Sequence, residues 1–227
     1  MYNPFLYVNI SLEFLGAIIS LIILICLMVG ANRNDSLNIK YMRMLLCNIL
    51  VLVSDAFAGI FKGIDTPLAF VIVRAANFLV FSVSYIFVPL FTDYMTAFIR
   101  QKVKISKIIV SVMYAMCGFA VLLVIVSQFT HIYYGFEEPN MYQRQSLFWL
   151  SQALGILFLL INAAVIIRYI GFIRKREALL LLSYALLPRA AMGIQIFVYA
   201  LALLYIATTV SLMLIYVGIQ SRQARRS

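Results

Sequence analysis

Charge is scarce in this chain. Of its 227 residues only 11% are Asp, Glu, Lys or Arg, while 65% are hydrophobic. A soluble domain carries about a quarter charged residues, so a soluble globular class is excluded. Histidine is scarcer still. The single residue, His131, rules out a two-histidine haem or a His-rich metal site within one chain, and it reads as a surface loop residue. No His-Glu-x-x-His, Gly-rich phosphate loop or Gly-x-Ser-x-Gly occurs. No intrinsic enzyme activity and no cofactor are therefore expected. The three cysteines, Cys26, Cys47 and Cys117, all sit in apolar runs and are expected to be small core residues rather than disulfide partners. The last apolar run has no lysine, which excludes a retinal Schiff base there. No Lys or Arg precedes Arg33, so the basic start of a cleavable signal peptide is missing and the first apolar run is expected to be a retained span.

What the chain does have is long apolar runs, each able to cross a bilayer as a helix of about 20 residues. The expected fold class is all-α, a polytopic membrane protein with seven transmembrane helices. The runs are Leu6–Gly30, Met42–Phe61, Pro67–Ile99, Ile108–Thr130, Leu147–Tyr169, Ala178–Tyr199 and Ala202–Gln220. The third exceeds what a bilayer requires, so it is expected to tilt, kink at Pro89 or project. The sixth and seventh are expected to form a tight hairpin near Tyr199–Ala202.

The net charge is +10, and its distribution decides its meaning. Fourteen of the 18 basic residues fall in or at the borders of the connections after runs one, three, five and seven, whereas the opposite side holds only Lys62 and Arg144. The positive-inside rule then places the N-terminus outside and the C-terminus in the cytoplasm. The partner of this charge is the lipid bilayer rather than nucleic acid. The one sizeable outer connection runs from His131 to Arg144, with Glu-Glu-Pro-Asn as a turn between two aromatic arms. Trp149 and tyrosines near run ends read as interfacial anchors.

Apart from Arg43 and Arg168 at run ends, five charged residues fall inside the runs: Glu13, Asp55, Arg74, Asp93 and Arg189. Each costs about 2.5–3.5 kcal/mol to insert and usually faces a partner or a water-filled cavity. Counting helical rise places Glu13, Asp55, Arg74 and Arg189 in the outer half or at the midplane. Arg189, the one charge in the forty residues Leu179–Gly218, is expected to pair with Asp55 or Glu13, with Pro188 loosening the helix beside it. Asp93 lies deeper, with Arg100 on the same helix as its nearest expected neighbour. Two readings stand side by side: buried ion pairs that fix helix register, or an outward-facing ligand pocket. Asn77, Ser84 and Gln195 would add neutral hydrogen-bonding groups to such a pocket and Tyr85 its floor. Arg74 or Arg189 would meet a ligand carboxylate or phosphate.

Three stretches, Gln128–Arg144, Leu187–Tyr199 and Leu212–Gln220, resemble the N-terminal multi-span membrane sensor regions of Gram-positive bacterial signalling proteins. In that family such regions precede GGDEF diguanylate cyclase, EAL phosphodiesterase or histidine kinase domains. Arg189 and Ala200 depart from the family pattern of an apolar residue and a glycine. The resemblance implies a sensor domain over residues 1–220, with 221–227 as a basic cytoplasmic tail or the start of a signalling helix. It implies a multi-pass protein of the bacterial cell membrane, an unidentified small ligand, a homodimer, and an output domain C-terminal or on a partner. A small-solute transporter of three, one and three helices, hinged at Pro89 and Pro188, is the alternative. A scaffold or assembly subunit without a ligand is a third reading.

Overall fold

The computed structural model describes residues 4–30, 35–137, 139–197 and 203–220. Its helices are α1 (Pro4–Gly30), α2 (Ser36–Phe61), α3 (Pro67–Arg100), α4 (Ile108–Thr130), α5 (Phe148–Arg168), α6 (Lys175–Phe197) and α7 (Leu204–Ile215). A two-stranded hairpin, β1 (Tyr134–Glu137) and β2 (Met141–Arg144), lies between α4 and α5. A 3₁₀ turn at Ile170–Phe172 precedes α6, and a π-helical turn at Tyr216–Gln220 follows α7. Among the described residues, α1 to α5 are long and apolar enough to cross a membrane, and Leu204–Ile219 is a shorter apolar helix. The turn expected between the last two helices lies outside the described residues.

Local chemistry sets the boundaries. The Asp35 side chain accepts from the Leu37 amide and starts α2 six residues earlier than the apolar run suggests. Thr66 caps α3 by accepting from Ala69 at 3.2 Å, with Pro67 at the first helical position, where its missing N–H costs nothing. His131 ends α4 in a left-handed conformation (φ 54°), its amide donating to Ser127 O at 2.9 Å. The lone histidine is thus a helix-ending residue. The aromatic arms of the outer loop are the two strands, with Tyr134 opposite Arg144 and Phe136 opposite Tyr142.

Helices α2 and α3 form the centre. α3 packs on α2, α4 and α5; α7 packs on α1, α2 and α6, closing the arrangement. At 34 residues α3 spans about 50 Å, so it carries both halves of the core. With the hairpin end of the bundle labelled outer and the opposite end inner, one cluster fills the inner half around Tyr41, Met44, Phe91, Tyr94 and Leu212. There the Tyr184 ring stacks on Phe91 at 3.9 Å and on Phe87 at 5.4 Å. The other cluster joins α3, α4, α5 and the hairpin through Tyr85, Phe158, Tyr133 and Tyr134. Outside these clusters Ile22 and Val29 on α1, Phe119 and Phe129 on α4, and Leu160 on α5 are exposed. Apolar faces this extensive suit lipid and not water. Cys117 is buried and Cys47 half-buried, but Cys26 is exposed on such a face rather than in the core.

Candidate functional site

Three polar side chains on α2 recur every seven residues: Tyr41, Asn48 and Asp55. Seven residues are close to two helical turns, so all three fall on one face. That face looks at α1 and α7, and each residue makes a polar rung at a different depth.

The middle rung is the simplest. Buried Asn48 donates from Nδ2 to Ser20 Oγ on α1 and to Thr209 Oγ1 on α7, both at 2.9 Å. One amide therefore ties three helices. Gly16 lets them approach: a Cβ there would sit 3.1 Å from Thr209 Oγ1 and 3.2 Å from Leu52 Cδ1. The inner rung is Tyr41, fully buried, whose hydroxyl donates to the Leu212 carbonyl at 2.6 Å. That carbonyl also receives the Tyr216 amide, where α7 gives way to the π turn. The Tyr41 ring stacks on Tyr216 at 6.4 Å and meets Tyr94 at 5.5 Å. A side chain bonded to a backbone carbonyl at such a change of winding is a physical handle on it.

The outer rung is different in kind. Glu13 on α1 is only 6% exposed, and its carboxyl neighbours that of Asp55 on α2. Two carboxylates brought together in this way repel when both are ionised, and one proton shared between them would relieve the repulsion. The Tyr205 hydroxyl of α7 lies within electrostatic reach of both acids and 3.5 Å from Ser84 Oγ on α3. Tyr142 of β2 is also within reach of Asp55. The hairpin is fastened over this end of the bundle: Gly63 N donates to Asn140 O, and Asn140 Nδ2 to Phe61 O, each at 3.4 Å. The acid pair thus sits beneath a strand, between α1, α2 and α7.

A purely structural role accounts for the inner and middle rungs, since satisfied polar contacts between membrane helices contribute about 0.6–2 kcal/mol and fix register. Among the described residues no cation pairs with the outer acids, and register alone gives no reason for their contact. Two acids side by side repel once ionised, and a neutral pair like Asn48–Ser20 would set the same register without that cost.

The expected site residues divide. Glu13 and Asp55 come together, and Ser84 lies nearby through Tyr205. Arg74 is held elsewhere: its guanidinium lies over the Phe70 ring at 3.2 Å and the Phe136 ring at 4.6 Å, and among the described residues it forms no ion pair. It lines a separate outer pocket of about 390 Å³ beside the hairpin, with Nη1 buried and without a hydrogen-bond partner. Asn77 Nδ2 donates to the Val73 carbonyl of its own helix at 2.8 Å. Tyr85 turns toward α5, donating to Ser151 O at 3.0 Å, and so is no floor to the acid pair. The side chains of Arg189 and Gln195 lie outside the described residues. Asp93 pairs with Lys40 and not with Arg100, because the early start of α2 brings Lys40 into the helix. Tyr41, Asn48 and Tyr205 were missed as site residues, although the seven-residue spacing of Tyr41, Asn48 and Asp55 is visible in the sequence. Comparison with known protein families and with curated proteins finds no match.

Proposed function

We propose that the chain is the membrane-embedded input module of a bacterial signal-transduction protein. In this reading seven helices cross the cell membrane, with the N-terminus outside and the C-terminus in the cytoplasm. The outer acid pair receives the signal, either as a proton or as a small cationic or hydrogen-bonding ligand that competes for the shared proton. The ladder of Asp55, Asn48 and Tyr41 carries the change to the π turn at Tyr216–Gln220. A cytoplasmic output domain of diguanylate cyclase or histidine kinase type, fused or on a partner in a dimer, would read it. Catalysis belongs to that domain and not to this chain. The observation that carries the reading is the like-charged outer pair joined by polar rungs to the α-to-π change in α7.

The test uses spin labels at Val217→Cys and Ile108→Cys, both exposed on the inner side, in a background with the three native cysteines replaced by Ala. Reconstituted protein is taken from about pH 8 to about pH 5, a range spanning carboxyl titration in shifted environments. The inter-label distance distribution is expected to shift, and to stay fixed in Glu13→Gln and Asp55→Asn. No shift in the unmodified pair sinks the sensor reading. A shared proton on a buried acid pair is also what a proton-coupled carrier requires. Solute or proton uptake into the same vesicles would favour that carrier; a sensor shows none.

A further inference from the structure

At the opposite end of the bundle the first turn of α2, the last turns of α3 and the first turn of α4 enclose a cleft of about 640 Å³. Asp35, Lys40, Asp93, Arg100, Lys107 and Ser111 are among its lining residues. Most of these charges are already committed. Lys40 is paired with Asp93, and Asp35 accepts the Leu37 amide at 3.1 Å. Beside the cleft Lys102 is taken up by Glu177 and by the Phe98 ring. Arg100 is not. Among the described residues its Nε and Nη2 are withdrawn from solvent with no hydrogen-bond partner. Among the described residues neither Arg100 nor Lys107 has a carboxylate partner.

Nε and Nη2 form one edge of the guanidinium, with their N–H bonds nearly parallel. That edge binds two oxygens of a single carboxylate or phosphate. Buried donors are ordinarily satisfied, and an orphaned charged pair is costly. The Lys107 ammonium, and the Ser111 hydroxyl on giving up its long 3.5 Å bond to the Lys107 carbonyl, supply donors at the start of α4, and the volume suits an anion with more than two oxygens. We infer that this cleft is a binding site for a phosphate group, toward which the Arg100 side chain turns its unsatisfied fork on binding, with Lys107 and Ser111 completing the shell. The group comes from an anionic phospholipid headgroup of the inner leaflet or from a phosphate in the cytoplasm. The inference shares the inner-face topology of the sensor reading but not its signalling role, and phosphate binding in detergent is measurable whichever way the chain is oriented.

The test follows thermal unfolding in a neutral detergent by the reaction of the buried Cys117 thiol with a maleimide dye, in the full chain with the exposed Cys26 and half-buried Cys47 replaced by Ala. The chain is titrated with inorganic phosphate against chloride at matched ionic strength, and with short-chain phosphatidic acid against phosphatidylcholine. A saturable rise in Tm with phosphatidic acid, with or without one for inorganic phosphate, is expected. A response to both identifies the phosphate group alone as sufficient; a response to the lipid only identifies the headgroup in its membrane setting. Arg100→Gln and Arg100→Lys are each expected to weaken apparent affinity about tenfold, since Lys keeps the charge but loses the fork. If Arg100→Gln does not fold, Ser111→Glu, an exposed position, places a carboxylate in the cleft and is expected to abolish the response. The inference is overturned by no saturable response to either phosphate probe, by an equal response to phosphatidylcholine, or by unchanged affinity in Arg100→Lys or Ser111→Glu.

Discussion

The two ends of the bundle treat charge in opposite ways. At the inner end Lys40 meets Asp93 and Lys102 meets Glu177, each cation with an anion from another helix. At the outer end Glu13 meets Asp55, acid against acid, and Arg74 lies between two aromatic rings away from both. Opposite-charge pairs hold helices together; a like-charge pair holds them together only while it keeps a proton. In the proposed reading the inner end serves cohesion and the outer end a change of state.

Breaking the inner pairing is expected to have the largest effect on stability. Lys40→Met leaves Asp93 without its partner, with both side chains only about one-fifth exposed, at 20% and 17%. A loss of about 2–3 kcal/mol is expected, read as a lowered Tm in detergent. The middle rung comes next. Asn48→Leu removes both donor bonds to Ser20 and Thr209 and is expected to cost about 1–2 kcal/mol. The outer pair should respond with the opposite sign: Glu13→Gln removes the acid–acid contact and is expected to leave stability unchanged or raise it by up to about 1 kcal/mol. A loss as large as that of Lys40→Met would erase the contrast between the two ends.

The smallest expected effect is a pH dependence at Glu177. Burial alone would raise its carboxyl, but the Lys102 ammonium and the Arg174 amide, which donates at 3.1 Å, outweigh this and hold it below its ordinary value. An acid lowered by folding stabilises the fold when ionised. Its contribution is present above the ordinary carboxylate range and lost as pH falls through the lowered folded value. The pair is partly exposed, so about 0.5 kcal/mol is expected. Unfolding midpoints of Glu177→Gln and the unaltered chain should converge in acid.

Hydropathy alone exposed the helices, because runs such as Ile108–Thr130 carry no charge to interrupt them. It misplaced the start of α2, since Ser36-Leu-Asn-Ile-Lys-Tyr looks like a loop until Leu37 and Tyr41 are seen to be buried. That error hid the Lys40–Asp93 pair. Counting depth put Glu13 and Asp55 in the same half of the membrane but could not tell which side of each helix they occupy, and so grouped Arg74 with them. The fate of Arg74 depends on Phe136, sixty-two positions away on a strand that packs back over α3, a contact no local pattern encodes. The polar heptad on α2 is legible in the sequence, but Tyr41 and Asn48 carry no charge and stand out less than Glu13 and Asp55.

The central claim is that the outer acid pair and the inner end of α7 are mechanically joined. Amide hydrogen exchange across residues 203–220 in lipid nanodiscs, with the unaltered chain, Asp55→Asn and Asp55→Asn with Asn48→Leu compared at one pH, tests it most directly. Exchange at Leu212–Ile219, more than two helical turns from the substitution, is expected to change severalfold in Asp55→Asn and to return toward the unaltered rate when Asn48 is also replaced. A change confined to the amides around Tyr205, with Leu212–Ile219 unaffected, would contradict it.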